Sequence, residues 1–166
     1  MKEAILIVGP ESSGTKMLTE AFVRLGYFGD YGHSQRLDDM RFSGRPDRIV
    51  LRRSMPHGAE WPNVADIVRR LQDASYHVRP ALIWRDKDCC CLSQARNQGH
   101  AHEASSRNIP EAIERLFAEF ATVRLWPVCA YLGAFVKCPQ VRTEFFRLFG
   151  EPAPDMAFFD PDQKYL

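Results

Sequence analysis

The stretch Val8-Gly9-Pro10-Glu11-Ser12-Ser13-Gly14-Thr15-Lys16 joins a short apolar run to a segment of helical pattern. Glycines at such a turn let backbone N–H groups come close to an anion, and a helix N-terminus adds partial positive charge. Ser12, Ser13, Gly14, Thr15 and Lys16 are therefore the first candidates for holding a phosphate. A Walker A loop reads G-x-x-x-x-G-K-[ST]. Here Gly14 is followed by Thr15-Lys16, the reverse order. Shifting by one residue turns a helical side chain by roughly 100°, so Lys16 does not take the usual lysine's place. The plain alternative is a glycine-containing turn with no ligand.

A Mg·ATP enzyme also needs an acid at the end of an apolar strand to organise its metal. Arg52 and Arg85 follow two of the apolar runs, and Asp86 is the nearest acid. The five cysteines, Cys89, Cys90, Cys91, Cys129 and Cys138, show no C-x-x-C or Cys/His spacing of zinc type. No metal site is expected, and the cysteines read as buried, reduced thiols.

Trp84-Arg85-Asp86-Lys87-Asp88-Cys89-Cys90-Cys91-Leu92-Ser93 places an arginine after an apolar run and a serine eight positions on. At this point the chain resembles the sulfotransferases that use 3′-phosphoadenosine 5′-phosphosulfate (PAPS). Those enzymes carry a Ser-Gly-Thr loop after their first strand, matched by Ser13-Gly14-Thr15, and an Arg…Ser pair that grips the 3′-phosphate, matched by Arg85 and Ser93. A guanidinium fork and a hydroxyl suit one phosphate group. Tyr131 to Pro139 is similar to the family's segment before its last helix, Leu148-Phe149-Gly150-Glu151-Pro152 to that helix's ending, and Phe159-Asp160-Pro161-Asp162 to its C-terminal tail.

The chain departs from the family at three points. Ser12 stands where the family has Lys or Arg, and Lys16 is positioned to compensate. Leu132-Gly133 replaces a Glu-Asp pair. The chain is also short, so the part that builds the acceptor site is reduced. The resemblance implies a P-loop, sulfotransferase-like domain with PAPS as its cofactor, moving a sulfuryl group to a hydroxyl or amine of a small-molecule or saccharide acceptor. Two alternatives stay open. One is a P-loop nucleotide kinase or ATP-binding protein, since Gly9 to Gly14 also looks like the loop of RecA-type ATPases. The other is a nucleotide-binding relative that has lost the chemistry.

Sulfuryl transfer needs a base for the acceptor's proton. Catalytic candidates beside Lys16 are His33, among Asp30, Tyr31 and Ser34, and His57, in Arg52-Arg53-Ser54-Met55-Pro56-His57. That second segment resembles the Lys-Thr-His-Leu-Pro of cytosolic sulfotransferases, although the family's histidine aligns with Ser54. Arg52 or Arg53 is placed to neutralise charge on the transferred group. Each of these also reads as a solvated loop residue, as do His100 and His102. The basic arc Arg36, Arg41, Arg45, Arg48, Arg52 and Arg53 is interrupted by Asp38, Asp39 and Asp47, so it reads either as an internally paired loop or as a clamp for an anionic acceptor.

The elements that must position these residues follow from hydropathy. Ala4 to Val8, Arg48 to Leu51, Pro80 to Trp84 and Pro127 to Leu132 are near-continuous apolar runs, the mark of strands covered on both faces in a parallel sheet. Helical patterns lie between them. Lys16 to Leu25 is stopped by Gly26, Val64 to Leu71 is capped by Asn63, Glu111 to Leu125 is opened by Pro110, and Gln140 to Phe149 is opened by Pro139 and closed by Gly150. The alternation predicts one α/β domain over residues 1–166, a three-layer parallel sheet flanked by helices. The segment from Tyr27 to Asp47 reads as a long loop, and the tail after Gly150 as an extended surface strap. With 166 residues and 45% hydrophobic content the chain has enough material for a core.

Net charge is +1, so no nucleic-acid partner is expected, and the 17 arginines against 5 lysines are as consistent with GC-rich coding as with anion binding. No apolar run approaches the ~20 residues of a membrane span. The N-terminal run lacks the length and cleavage site of a secretion signal, so a cytoplasmic location is expected. The sequence is silent on oligomeric state.

Overall fold

β1 (Lys2–Gly9) alternates its side chains between two apolar layers, and this fixes the architecture. Ala4, Leu6 and Val8 point to one core, which is completed by Ile67, Val68 and Leu71 and by Ala112, Leu116 and Phe120. Ile5 and Ile7 point to the other, with Leu18 and Phe22, Phe135, Phe145 and Phe146. A strand buried on both faces needs helices on both, so the chain builds the α/β arrangement its sequence predicts. The structure is a computed structural model that describes residues 1–29, 41–57, 60–99 and 101–162.

The remaining elements follow in order: α1 (Thr15–Arg24), β2 (Arg48–Ser54), α2 (Val64–Asp73), β3 (Tyr76–Trp84), α3 (Lys87–Gln98), α4 (His102–Thr122), β4 (Val128–Tyr131), α5 (Leu132–Lys137) and α6 (Pro139–Arg147). The four strands form one all-parallel sheet in the order β2-β1-β3-β4. β1 stands between β2 and β3, so its own connection runs to one side of it and the next, from β2 to β3, crosses to the other. The crevice at the carboxyl ends of β1 and β3 is where open α/β sheets bind ligands.

Local signals account for most helix ends. Asn63 caps α2, its side chain accepting from the Asp66 amide at 2.8 Å, worth about 1 kcal/mol. Gly26, at φ 87°, ends α1 in a Schellman turn, with the Gly26 amide on the Val23 carbonyl and the Tyr27 amide on the Phe22 carbonyl. Asp86, the nearest acid to a strand end, caps α3 by accepting from the Cys89 amide at 3.0 Å.

Three expectations are corrected. Pro110 does not open a helix. It lies inside α4, which begins at His102. The proline gives up one ladder hydrogen bond, but Ile109, Ala112, Leu116 and Phe120 bury one face on both sides of it and carry the helix through. The fourth strand is shorter than its apolar run, because Leu132 turns into α5 and buries itself in the second core. Cys129 is exposed on the edge strand, whereas Cys90 and Cys91 are buried; all five thiols are free. Among the described residues no helix is long and apolar enough to cross a membrane.

Candidate functional site

The loop after β1 is shaped by backbone constraints that only certain residues meet. A Cβ on Gly9 would lie 2.1 Å from the Ile83 carbonyl oxygen, so β1 can approach β3 this closely only with glycine there. Ser12 adopts φ 68°, a left-handed conformation uncommon outside glycine, and Gly14 follows at φ 103°. The Ser13 amide closes a turn onto the Pro10 carbonyl at 3.1 Å, and the Met55 amide binds the Gly9 carbonyl at 3.0 Å. Gln94 of α3 reaches over to the Glu11 carbonyl at 2.8 Å, and Arg85 Nη1 to the Ser12 carbonyl at 3.2 Å. The loop is thus held from both neighbouring strands.

At the end of this loop α1 begins from Gly14, an N-cap residue with no side chain to bond the first turn. First-turn N–H groups have no partner within a helix, so an uncapped end offers donors and positive potential to an anion. Ser13 is fully buried beside it, and its Oγ has no hydrogen-bond partner among the described residues. Lys16 sits on the same first turn with its side chain exposed.

A cavity of about 600 Å³ opens at this point, within the ~300–1,000 Å³ typical of small-molecule sites. Ser12, Gly14, Lys16, Arg85 and Ser93 all line it, so five of the expected site residues converge although Ser12 and Ser93 lie far apart in the chain. Ser13 and Thr15 are buried behind that wall. Thr15 contributes its carbonyl to the Thr19 hydroxyl at 2.8 Å. Leu132, Met156 and Phe159 add apolar lining to the same cavity.

Arg85 is 5% exposed, and its Nε donates to Asp162 Oδ1 at 2.5 Å; Nη2 meets the same oxygen. The guanidinium expected to read a ligand phosphate is therefore bound to a carboxylate from the tail. Ser93, also buried, accepts from Asn97 Nδ2 at 3.2 Å. Burial, with Asp162 next in effect, pushes the neighbouring Cys89 thiol up to about 11.

The tail is consequently more than the surface strap the prolines suggest. Phe158 packs edge-on against Phe135, ring centres 5.5 Å apart, with the Arg142 guanidinium over its face. Asp160 ion-pairs with Lys137 at 3.0 Å and accepts from the Asp162 amide at 3.0 Å.

Of the two histidine candidates for the base, His57 is not on the cavity wall. His33, with Asp30, Tyr31 and Ser34, lies outside the described residues. His57 follows β2, with its backbone bridged to Glu60 and its Nδ1 3.7 Å from Glu11 Oε1, beyond hydrogen-bond reach. Arg53 is almost fully buried, with Nη2 on Glu60 Oε2 at 3.2 Å, and Arg52 is 8% exposed. Both read as parts of the scaffold at the end of β2.

Sequence reasoning missed Asp162, Gln94 and the apolar wall. Opposite charge alone does not pair Arg85 with an aspartate 77 residues away, and nothing in the Phe159 to Asp162 segment itself names Arg85 as its partner. No family model, curated protein or solved structure matches this chain.

Proposed function

We propose that this chain binds PAPS at the β1/β3 crevice and transfers its sulfuryl group to a hydroxyl or amine acceptor. The observation that carries the reading is the convergence, on one cavity, of an uncapped helix end, Lys16, and the Arg85 and Ser93 pair. The residues fit such a ligand: a buried guanidinium, a helix end that starts from a glycine and an apolar lining suit a ribose carrying phosphate groups at two positions and a flat, apolar base beside them.

PAPS, when bound, supplies an activated sulfuryl group on a phosphate leaving group. The first-turn N–H groups of α1 would hold the 5′ end, with Lys16 neutralising charge as the bridging bond breaks. Arg85 and Ser93 would hold the 3′-phosphate, once Asp162 has yielded or rearranged. Leu132, Met156 and Phe159 would keep water from the cavity. A base would take the acceptor's proton, and His57, beside Glu11 of the loop but off the cavity wall, is the candidate among the described residues, reached only by an acceptor that extends beyond the cavity. Acceptors would be small molecules or saccharides.

The Gly9 to Gly14 spacing also suits a P-loop nucleotide kinase, but Asp86, the nearest acid to a strand end, spends a carboxylate oxygen on capping α3. Titration calorimetry separates these readings. The proposal expects 3′,5′-ADP to bind without Mg²⁺ and more tightly than ADP. Mg²⁺-dependent binding of ATP with none of 3′,5′-ADP would replace it with the kinase, and binding without transfer would leave a nucleotide-binding module.

A further inference from the structure

Arg85 is the most buried of the cations lining the cavity, and a side chain of this same chain is already bound to it. Asp162 puts one carboxylate oxygen on both Nε and Nη2, with 3% and 11% of the two side chains exposed. The position of that carboxylate is set by its own segment. The Asp162 amide donates to Asp160 Oδ1, and Asp160 Oδ2 is pinned to Lys137 on α5. Upstream, Met156, Ala157, Phe159 and Pro161 form part of the cavity wall, and Phe158 is anchored on Phe135. The segment is thus held at three points: Phe158 on Phe135, Asp160 on an exposed lysine, and Asp162 on Arg85 through one carboxylate oxygen.

From this arrangement we infer that Asp162 is a built-in competitor for the anion site, a tail latch that a ligand phosphate must displace from Arg85. The inference rests on the reading of Arg85 as a phosphate-binding residue. A phosphate dianion presents more charge and more acceptor oxygens than one carboxylate, and Ser93 stands on the same wall to share it. A carboxylate tethered to the same chain, however, is present at high effective concentration. A site closed by its own tail most of the time shows an apparent affinity reduced by the fraction open. The latch thus sets a threshold: weakly held anions leave the tail in place, and a ligand gripped at both ends releases it. The latch requires only the Asp162 end of the segment to move, with Phe158 remaining on Phe135.

The test uses the full chain, with 3′,5′-ADP, 5′-AMP and inorganic pyrophosphate as probes. Asp162→Asn should bind 3′,5′-ADP and pyrophosphate about tenfold more tightly than the parent, or better. Asp162→Glu should stay near the parent, and Lys137→Met, which loosens the tail without touching Arg85, should gain several-fold. Loss of a negative charge alone would also favour anions, so the second readout is hydrogen exchange at the Asp162 amide in the parent. Displacement predicts faster exchange when ligand saturates the site. Unchanged or weaker binding by Asp162→Asn, or slower exchange at Asp162 on ligand binding, overturns the latch. If pyrophosphate binding tightens in Asp162→Asn while 3′,5′-ADP binds no better than 5′-AMP, the latch stands and the PAPS reading falls. If no probe binds parent or variant, the latch falls with it.

Discussion

Lys16 shows how one position of displacement changes what a residue can do. It stands on the first turn of α1, exposed and on the cavity wall, while the place before Ser13-Gly14-Thr15 is held by Ser12. If Lys16 serves the transferred group, its ammonium folds back over the loop, at some cost in rotamer entropy. Lys16→Met should then abolish sulfuryl transfer while leaving 3′,5′-ADP affinity within several-fold. Transfer at the parent rate would make Lys16 a plain surface residue. Cys90 makes a different prediction. Burial pushes its thiol from an ordinary 9.0 up to about 12, so the folded state holds the protonated form more tightly than the unfolded chain does. That stability is fully present below pH 9 and is lost as pH rises toward 12. Urea midpoints should therefore fall between pH 8 and pH 11, with Cys90 alone accounting for about 2 kcal/mol, and Cys90→Ala should flatten that slope. Tyr27, raised chiefly by burial as well, adds to the same alkaline loss.

Among the elements, the turn from β1 into α1 has the least freedom. Gly14 has φ 103°, and a Cβ there would come within 2.9 Å of Leu132 Cδ1. Gly14→Ala should cost about 1–3 kcal/mol from backbone strain, and it should weaken anion binding by tilting the first turn of α1; a thermal melt beside a pyrophosphate titration checks both. Most elements were legible in the sequence because local chemistry specified them. β1 announced itself through Ala4 to Val8, α2 through Asn63, and the end of α1 through Gly26. Pro110 misled because propensity is local, whereas the buried face of α4 spans both sides of the proline and overrides it. α5 went unread because Leu132 to Lys137 is too short for periodicity to separate it from the strand before it.

At the scale of the whole molecule, three distant segments meet: the loop after β1, the start of α3 and the tail. The first two could be anticipated, since each follows a strand of one parallel sheet and parallel strands bring their carboxyl ends to one edge. The tail could not, because nothing local determines where Asp162 lands. Its contact with Arg85 depends on Phe158 finding Phe135 and Asp160 finding Lys137, and both are products of packing. The central claim is that this meeting point reads a nucleotide's 3′-phosphate through Arg85. The most direct measurement is calorimetry of parent and Arg85→Ala with 3′,5′-ADP and 5′-AMP, which differ only in that phosphate. Losing a charge-assisted contact costs about 1.5–3 kcal/mol, more than tenfold in affinity. Arg85→Ala should lose at least that for 3′,5′-ADP and little for 5′-AMP. Equal losses for the two ligands, or none for either, would contradict the assignment.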